Sequence, residues 1–319
     1  MKRVVILGGS GFFGRLIAEG LSAAGVQPIV ASRTRGELRI DADNAEDLQI
    51  CLRPRDLVID AAGPFQKRSP ALINAARTIG FDLIDISDSL DYTAMVYQHE
   101  APILAAGIRV LPACSALSTV SAAVLKSYSV EEPRRLSAYL VPASRYTANP
   151  GTLASVLSGV HGSLRKFDFP RPLGSRRGVS VRSVDAVTLP RAFPTLKSAE
   201  LAVDLRIPGM NLVLMGAAHF PGVTPLMEMF QSTALSVARV IGPRTGVLAY
   251  ELASAIGFKY RIFIGKKSYM LAVIPAIQAA LAIVQGRFSR RGLLPPTEHV
   301  EPNALFDAAR NAGITMIAG

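Results

Sequence analysis

Apolar and polar positions alternate in blocks over the first third of the chain. Short apolar runs, each typical of a buried strand, occur at 3–7, 28–33, 38–41, 56–64, 82–87 and 108–114. Segments with the helical spacing of apolar residues separate them, at 15–24, 44–52, 70–79 and 90–106. Strands that alternate with helices in this way are typical of a parallel, doubly wound sheet. We therefore predict an α/β domain at the start of the chain.

The chain after residue 118 has a different pattern. Longer β segments are predicted at 136–146, 178–189, 200–207 and 257–265, without regular helical crossovers between them. This pattern favours a mostly antiparallel sheet. Helices are predicted at 152–164, 225–241 and 272–284. The segment 165–177 is rich in Pro, Arg and Gly, so we expect a loop there.

A glycine-rich turn joins the first predicted strand to the first predicted helix. A GxGxxG pattern between a strand and a helix is the fingerprint of a dinucleotide-binding turn. In such a turn Gly9 would permit the tight bend, Gly11 the approach of a pyrophosphate, and Gly14 close packing of helix on strand. The predicted cofactor-binding residues of this turn are Gly8, Gly9, Ser10, Gly11, Phe12, Phe13 and Gly14.

The end of the second predicted strand indicates which dinucleotide is bound. Folds that bind NAD place an Asp or Glu there, which accepts a hydrogen bond from the ribose 2′-hydroxyl. This chain has Ser32 and Arg33 instead, and its first carboxylate after the strand is Glu37. A guanidinium group binds a phosphate through a planar fork, whereas an acid would repel it. We therefore predict NADP(H), with Ser32 and Arg33 in its site.

These patterns divide the chain into three parts. With 319 residues it is long enough for two domains of about 150 residues each. We predict an NADP-binding Rossmann domain over 1–118 and an α+β domain for substrate binding and dimerisation over 119–286. A tail over 287–319 is expected to pack back on the Rossmann domain.

The ends of the later strands of a Rossmann sheet form the crevice in which a nicotinamide meets its substrate. Ala62, Gly63 and Pro64 follow the fourth strand and are predicted to contact the cofactor, although a plain Gly-Pro turn is the alternative. Asp88 and Ser115 follow the next two strands and are the candidate catalytic residues. Asp88 is equally well placed to cap the following helix.

Two catalytic chemistries are not supported by the sequence. None of the eight tyrosines is followed by Lys four positions later, so the proton relay of short-chain dehydrogenases is not expected. Cys114 precedes Ser115, but no local motif would activate it, and we expect a buried, inert thiol.

Composition narrows the possible partners. The net charge of +11 suits an anionic cofactor, an anionic membrane surface or nucleic acid, and charge alone does not choose between them. No basic–aromatic ladder or zinc spacing supports nucleic acid, and the four histidines lack metal-ligand spacing. Two cysteines are too few for a disulfide framework, so we expect a cytoplasmic protein. The apolar stretch 269–284 is too short to span a bilayer, although peripheral membrane contact remains an alternative.

Five segments together resemble the saccharopine dehydrogenase-like oxidoreductases, a family that includes saccharopine reductase and trans-acting enoyl reductases. They are the glycine turn, 57–65, 82–88, 150–152 and the closing segment 286–302. The resemblance implies an N-terminal NADP-binding Rossmann domain, a second α/β domain and a homodimeric oxidoreductase. One pair of residues departs from it, because Asp88-Ser89 stands where members of the family often carry Gly-Glu.

The second part is too apolar for an enzyme that acts on a polar, multiply charged amino acid. We therefore predict a reductase for an apolar or lipid-like carbonyl, imine or enoyl compound. An NADP-binding sensor without turnover and a membrane-surface protein are the alternatives.

Overall fold

The computed structural model describes residues 2–128, 132–219, 231–255 and 257–319. The chain forms two compact units. The first unit runs to Ala123 and also takes in Leu271–Phe306, whereas the second comprises Val124–Met270 and Asp307–Gly319. The functional domain boundaries at 118 and 286 stay a prediction.

The strands of the described residues are β1 Val4–Leu7, β2 Ile29–Ser32, β3 Leu38–Arg39, β4 Leu57–Asp60, β5 Asp82–Asp85, β6 Arg109–Leu111, β7 Pro133–Val141, β8 Val160–Asp168, β9 Ser175–Val181, β10 Ser198–Val203, β11 Gly246–Ser254, β12 Gly257–Gly265, β13 Gly292–Leu293 and β14 Thr315–Ala318. The α-helices are α1 Phe12–Ala23, α2 Ala45–Cys51, α3 Ala71–Ala75, α4 Leu90–Tyr97, α5 Glu100–Ala105, α6 Thr119–Ser127, α7 Ser144–Thr147, α8 Pro150–Gly159, α9 Asp185–Ala192, α10 Met210–His219, α11 Gln231–Ile241, α12 Ile274–Val284 and α13 Pro302–Asn311.

The first unit is built on a parallel sheet of seven strands in the order β13-β6-β5-β4-β1-β2-β3. Every residue of β1, β4 and β5 is buried, as expected for central strands whose two faces are both covered. In α1, Gly14, Ile17 and Leu21 are buried, and their spacing by three and four residues gives the helix one inward face.

The second unit contains a mixed sheet of seven strands in the order β14-β12-β11-β7-β10-β9-β8. Among the described strands of this sheet, β7 and β10 pair in parallel and the other neighbours pair antiparallel. Aromatic side chains form part of its core, where Phe167 stacks on Phe169 at 5.6 Å and packs against Tyr139 at 5.4 Å between ring centroids. The predicted fold class is confirmed: a doubly wound parallel sheet and a second, mostly antiparallel sheet.

Several predicted elements of the second part were wrong. The helix predicted at 152–164 ends at Gly159, and the predicted loop 165–177 forms most of a β8–β9 hairpin. The burial pattern of β8 explains the error, because few of its side chains are buried and its apolar positions do not alternate regularly. The strand β11 was missed.

Two further predicted strands run into helices. The segment predicted at 136–146 turns after Val141 and continues as α7, and the one predicted at 178–189 continues as α9. Ser183 stops the second strand, since its hydroxyl accepts a hydrogen bond from the backbone N–H of Asp185 at 3.2 Å. Of the helix predicted at 225–241, residues 231–241 are helical and 225–230 lie outside the described residues.

The tail contributes one strand to each sheet. Gly292 and Leu293 pair in parallel with Arg109 and Val110, and so add a seventh strand to the first sheet. The strand β14 pairs with β12 in the second sheet.

Candidate functional site

The glycine turn has the geometry of a tight bend beneath a helix. Gly8 adopts a left-handed φ of +69°, and a Cβ at this position would lie 2.6 Å from the carbonyl oxygen of Ala61. A Cβ at Gly14 would lie 2.2 Å from the carbonyl oxygen of Gly8. The left-handed residue is therefore Gly8 and not Gly9, whose Cβ would instead meet a methyl group of Val30 at 2.9 Å.

The N-terminus of α1 follows this turn directly. Gly11 is its N-cap, and the first turn of the helix contains no acidic residue. Among the described residues, no side chain caps this end of α1 by a hydrogen bond. An uncapped helix N-terminus presents backbone N–H groups and the positive end of the helix dipole, both of which favour an anion.

A cleft of about 630 Å³ opens beside the turn, within the first unit. Eight of the predicted cofactor-binding residues line it, namely Gly8, Ser10, Gly11, Ser32, Arg33, Ala62, Gly63 and Pro64. The other four predicted residues, Gly9, Phe12, Phe13 and Gly14, do not line it. They lie in the turn and the first turn of α1, where they shape the loop.

The end of β2 places a cation at the rim of this cleft. Arg33 is exposed and, in the part of the chain that the structure describes, pairs with no carboxylate. The carboxylate of Glu37 accepts a hydrogen bond from the backbone N–H of Val30 at 3.0 Å, and Glu37 does not line the cleft. The second cation of the cleft, Lys67, is also exposed and has no ion pair within the described ranges.

Arg68 holds two walls of the cleft together. Its guanidinium pairs with Asp60 at 3.0 Å and with Asp43 at 3.1 Å, and donates to the carbonyl oxygen of Ala62 at 2.8 Å. Its side chain is only 4% exposed, so the charge is almost fully removed from water. The loops that follow β3 and β4 are thus fixed by one buried side chain.

Two buried carboxylates end the neighbouring strands β4 and β5. Asp60 and Asp85 are register partners, and each accepts a hydrogen bond from the backbone N–H two residues further on. Asp85 also accepts one from the backbone N–H of Ala113 at 2.8 Å. Burial raises the pKa of Asp85 to about 7. Burial also raises the pKa of Asp60, against the opposing effect of the Arg68 charge. These carboxylates therefore shape the strand ends from inside the fold.

The two candidate catalytic residues lie outside the cleft lining. Asp88 is exposed and accepts a hydrogen bond from the Gln66 side chain at 3.4 Å. The helix cap is Ser89, whose hydroxyl accepts from the backbone N–H of Tyr92, so Asp88 does not cap α4. The hydroxyl of Ser115 donates to the carbonyl oxygen of Ala272 at 2.9 Å, which gives it a structural contact.

Cys114 and the histidines offer no further chemistry here. Cys114 is fully buried, and burial raises the pKa of its thiol, which disfavours the reactive thiolate. His299 is buried between Thr119 and the carbonyl oxygen of Leu294, and burial lowers its pKa to about 4. His161 lies exposed on β8, not on the helix predicted for it. In the described ranges, no group of His, Cys, Asp and Glu side chains is placed to hold a metal ion.

Half of the residues that line the cleft were not predicted from the sequence. The additional lining residues are Thr34, Ile40, Asp41, Ala42, Asp43, Ala61, Lys67 and Arg68. The loop 41–43 follows a predicted strand and lies on the same side of the sheet as the glycine turn. That position could have indicated that the loop lines the cleft. Nothing in the sequence signals Arg68, because its role depends on contacts with Asp43 and Ala62 that only the fold creates.

No family model matches the chain, and no curated protein sequence matches it. Among the solved structures similar to it is GenD2 from gentamicin A biosynthesis in complex with NAD, with 12% identity over 100% of this chain and 97% of that one, and a TM-score of 0.46. An oxidoreductase from Thermotoga maritima is 14% identical over 99% of this chain and 98% of that one, with a TM-score of 0.43. A UDP-N-acetylglucosamine 3-dehydrogenase from Acidithiobacillus ferrooxidans is 11% identical over 97% and 95%, with a TM-score of 0.42.

At these identities and TM-scores the similarity assigns neither a family nor an activity to the chain. None of the three is named as a saccharopine dehydrogenase, and that resemblance stays a prediction. Across the described residues, every helix is too short or too polar to cross a lipid bilayer.

Proposed function

We propose that this chain is an NADP(H)-dependent oxidoreductase. The observation that carries the proposal is Arg33, an exposed cation that lines the cleft at the end of β2 and pairs with no carboxylate among the described residues. The acid that would select NAD is missing from the strand end, and the nearby Glu37 is tied to Val30. A 2′-phosphate would satisfy Arg33 through a charge-assisted hydrogen bond.

The residues of the cleft fit a dinucleotide. Its volume of about 630 Å³ lies within the range of roughly 300–1,000 Å³ that is typical of small-molecule sites. The turn leaves no room for a Cβ at Gly8 or Gly14, so a bare backbone faces the N-terminus of α1. Arg33 and Lys67 supply positive charge at this cleft, which suits a ligand with several phosphates.

When bound, the nicotinamide supplies a hydride to its substrate. The chain's own part in the reaction is to bind and orient. The Gly8–Gly11 backbone and the N-terminus of α1 would hold the pyrophosphate, and Arg33 would bind the 2′-phosphate at the adenosine end. Arg68 keeps the wall at Ala62 in place through its bond to that carbonyl oxygen.

The substrate we propose is an apolar or lipid-like carbonyl, imine or enoyl compound. The support is the apolar composition of the second part and the resemblance to the saccharopine dehydrogenase-like oxidoreductases. That resemblance also supports a homodimer. From the excess of basic residues we also propose peripheral contact with an anionic membrane surface.

Calorimetry with NADPH and NADH tests the cofactor, and Gly11→Val tests the place where it binds. A Cβ at Gly11 meets only the carbonyl oxygen of Gly8, at 3.1 Å, so the variant should fold. Its larger side chain would stand where the pyrophosphate approaches the backbone, and we expect binding to fall by at least about 100-fold, or about 2.7 kcal/mol. Gly216→Val is the matched control, because nothing lies within 4 Å of its Cβ. Normal NADPH binding by the folded Gly11→Val variant would show that the pyrophosphate does not bind at this turn.

A second candidate function is an NADP-binding sensor without turnover. It is favoured by the placement of Asp88 and Ser115, since neither lines the cleft and the Ser115 hydroxyl is bonded to Ala272. A panel of enoyl and keto lipids separates the two functions. Oxidation of NADPH that depends on one of these substrates supports the reductase, whereas tight NADPH binding without oxidation supports the sensor.

A further inference from the structure

Among the described residues, five basic side chains lie at the end of the second unit where β7 and β12 finish and β11 starts. The strands hold this end together, because Val141 pairs with Val247 and Gly246 pairs with Gly265. The five residues, which we call the basic end, are Arg145, Arg239, Arg244, Lys266 and Lys267. Arg145 is half-buried and the other four are exposed.

Two cations of the basic end connect the helices α7 and α11. The guanidinium of Arg145, in α7, donates to the carbonyl oxygen of Gly242, the residue after α11, at 2.9 Å. The guanidinium of Arg239, in α11, donates to the carbonyl oxygen of Ala148, the residue after α7, at 2.9 Å. Both partners are neutral backbone oxygens, so these bonds fix the two side chains without cancelling their charges.

The segments that build the basic end contain no acidic residue. Neither Asp nor Glu occurs in 141–167, 231–250 or 252–270. In the part of the chain that the structure describes, none of the five basic residues pairs with a carboxylate. Clustered like charges without a counter-charge produce a positive potential that attracts an anionic surface.

The opposite end of the same strands has a different charge pattern. It also carries exposed basic residues, Arg134 and Arg135 near the start of β7. Carboxylates lie among them, however. Glu132 directly precedes β7, and Glu251 pairs in register with Ser137, two residues from Arg135. Basic residues are therefore present at both ends of these strands, and the lack of acids distinguishes the basic end.

Helix α11 presents an exposed apolar stripe beside these cations. Val237, Val240 and Ile241 are 38%, 66% and 53% exposed, whereas Leu235 is buried on the inward face of the helix. The spacing by three and four residues places the three exposed side chains on one side of α11. A helix that is apolar on its outward face as well as its inward face is suited to contact a second apolar medium.

Two tyrosines accompany the basic end. Tyr146 follows Arg145 in α7 and is 46% exposed, and its ring contacts that of Tyr269 with the centroids 6.3 Å apart. Tyr269 comes two residues after Lys267. An amphipathic ring beside long basic side chains is typical of the boundary between a membrane and water.

We propose that the basic end and the outward stripe of α11 form the surface that docks on an anionic lipid membrane. The five cations would bind the anionic headgroups, and Val237, Val240 and Ile241 would enter the layer between headgroups and acyl chains. A second copy of the chain fits less well, because two basic ends would repel each other. The inference rests on the membrane contact proposed above, whose place it names, and it requires no bound cofactor.

Co-sedimentation of the full chain with lipid vesicles, without NADPH, tests whether the membrane contact exists. Vesicles of phosphatidylcholine with about a third of phosphatidylserine are compared with vesicles of phosphatidylcholine alone. Partition into the anionic vesicles should be at least about 10-fold stronger, and raising the salt from about 0.1 M to about 0.5 M should reduce the difference because it screens the charges. Equal partition into both vesicles, or none into either, would overturn the inference together with the membrane contact itself.

A matched pair of charge reversals tests the place of the contact. Lys266→Glu/Lys267→Glu should weaken binding to the anionic vesicles by at least about 10-fold, since each basic residue near the surface contributes a factor of about five. Arg134→Glu/Arg135→Glu changes the net charge equally at the opposite end of the strands. Strands of nine residues are about 30 Å long, well beyond the screening length of about 10 Å, so this control should bind within about 2-fold of the intact chain.

A matched pair of polar substitutions tests the apolar stripe. Val240→Ser should weaken binding to the anionic vesicles by roughly 3- to 10-fold, because it removes an apolar side chain from the lipid layer. Phe258→Ser is the control, because Phe258 is 76% exposed and lies at the end of β12 that is far from Lys266. Losses of equal size in the test variant and the control, in either matched pair, would show that the membrane does not contact the basic end and α11.

Sedimentation velocity of the intact chain and of Val240→Ser, without lipid, tests the alternative occupant. We expect the same oligomeric state for both proteins. A dimer of the intact chain that becomes a monomer in Val240→Ser would show that the stripe is an interface between copies, and the membrane surface would then be wrongly placed. The NADPH titration of Gly11→Val reports on the cleft of the first unit, so the cofactor proposal and this inference fail separately.

Discussion

The cleft of the first unit and an apolar pocket of about 100 Å³ in the second unit are built from different parts of the chain. The cleft is made by backbone turns at strand ends, where Gly8 adopts a left-handed φ and Gly11 caps a helix. The pocket is made by side chains from segments up to about one hundred residues apart, from Leu140 to Ala238. A site built from backbone leaves a glycine pattern in the sequence, whereas a site built from side chains leaves only apolar composition.

The two sites also differ in the partner of one buried polar group, Asp60 beside the cleft and Thr147 beside the pocket. Beside the cleft, the buried Asp60 carboxylate is paired with Arg68 and bonded to the backbone N–H of Ala62. Beside the pocket, the buried hydroxyls of Ser144 and Thr147 have no hydrogen-bond partner among the described residues. Removing a polar group should therefore have opposite effects on the free energy of unfolding at the two sites.

Arg68→Ala should give the largest effect. It leaves the buried Asp60 carboxylate without its counterion, and breaking a buried pair in this way costs about 3–5 kcal/mol. Chemical denaturation measures the loss. As a control, Arg77→Ala removes a half-buried guanidinium whose partner among the described residues is Asn74, and it should change stability by about 0.5 kcal/mol at most. The double variant Asp60→Asn/Arg68→Met should recover much of the stability that Arg68→Ala loses. Similar stabilities for Arg68→Ala and Arg77→Ala would show that the pair does not hold the cleft walls.

Acid should destabilise the first unit through His299. Its pKa is about 4 in the folded chain, because of burial, against an ordinary value of 6.5. Below pH 6.5 the unfolded chain therefore binds more protons than the folded chain. The stabilising effect of neutral His299 is complete above pH 6.5 and is lost as the pH falls towards 4. Each pKa unit corresponds to about 1.4 kcal/mol, so the loss reaches about 3 kcal/mol.

His299→Gln provides the comparison for this pH dependence. Glutamine can still donate to Leu294 and accept from Thr119, but it does not titrate. The difference in unfolding free energy between the two proteins should change by up to about 3 kcal/mol between pH 7 and pH 4. If the unfolding free energies of the two proteins change in parallel over this pH range, His299 is not buried in its neutral form.

Thr147→Val should have the smallest effect and the opposite sign. It removes a buried hydroxyl that has no partner among the described residues, so stability should be unchanged or rise by about 1 kcal/mol. Thr188→Val is the matched control, because the buried Thr188 hydroxyl donates to the carbonyl oxygen of Val184. That control should lose about 1 kcal/mol. A loss of equal size in both variants would mean that Thr147 has a partner.

The same contrast explains which features could be predicted from sequence. The β1–α1–β2 unit and its glycine turn were predictable, because a left-handed residue and a close helix approach both demand glycine. The strand β8 was not, because tertiary pairing and not an alternating pattern makes it a strand. The long helix predicted at 90–106 is two helices, separated at Gln98 and His99. The contacts of Arg68 and the assembly of the second pocket depend on distant segments, which no local pattern records.

The central claim is that Arg33 recognises a 2′-phosphate, and adenosine 2′,5′-bisphosphate tests it without the nicotinamide. Its affinity, measured by calorimetry beside that of adenosine 5′-monophosphate, isolates the extra phosphate. The intact chain should prefer the bisphosphate by about 10- to 100-fold, the value of one charge-assisted hydrogen bond. Arg33→Ala should abolish that preference, and Arg35→Ala, whose residue is exposed and does not line the cleft, should keep it. The same preference in Arg33→Ala as in the intact chain would contradict the account.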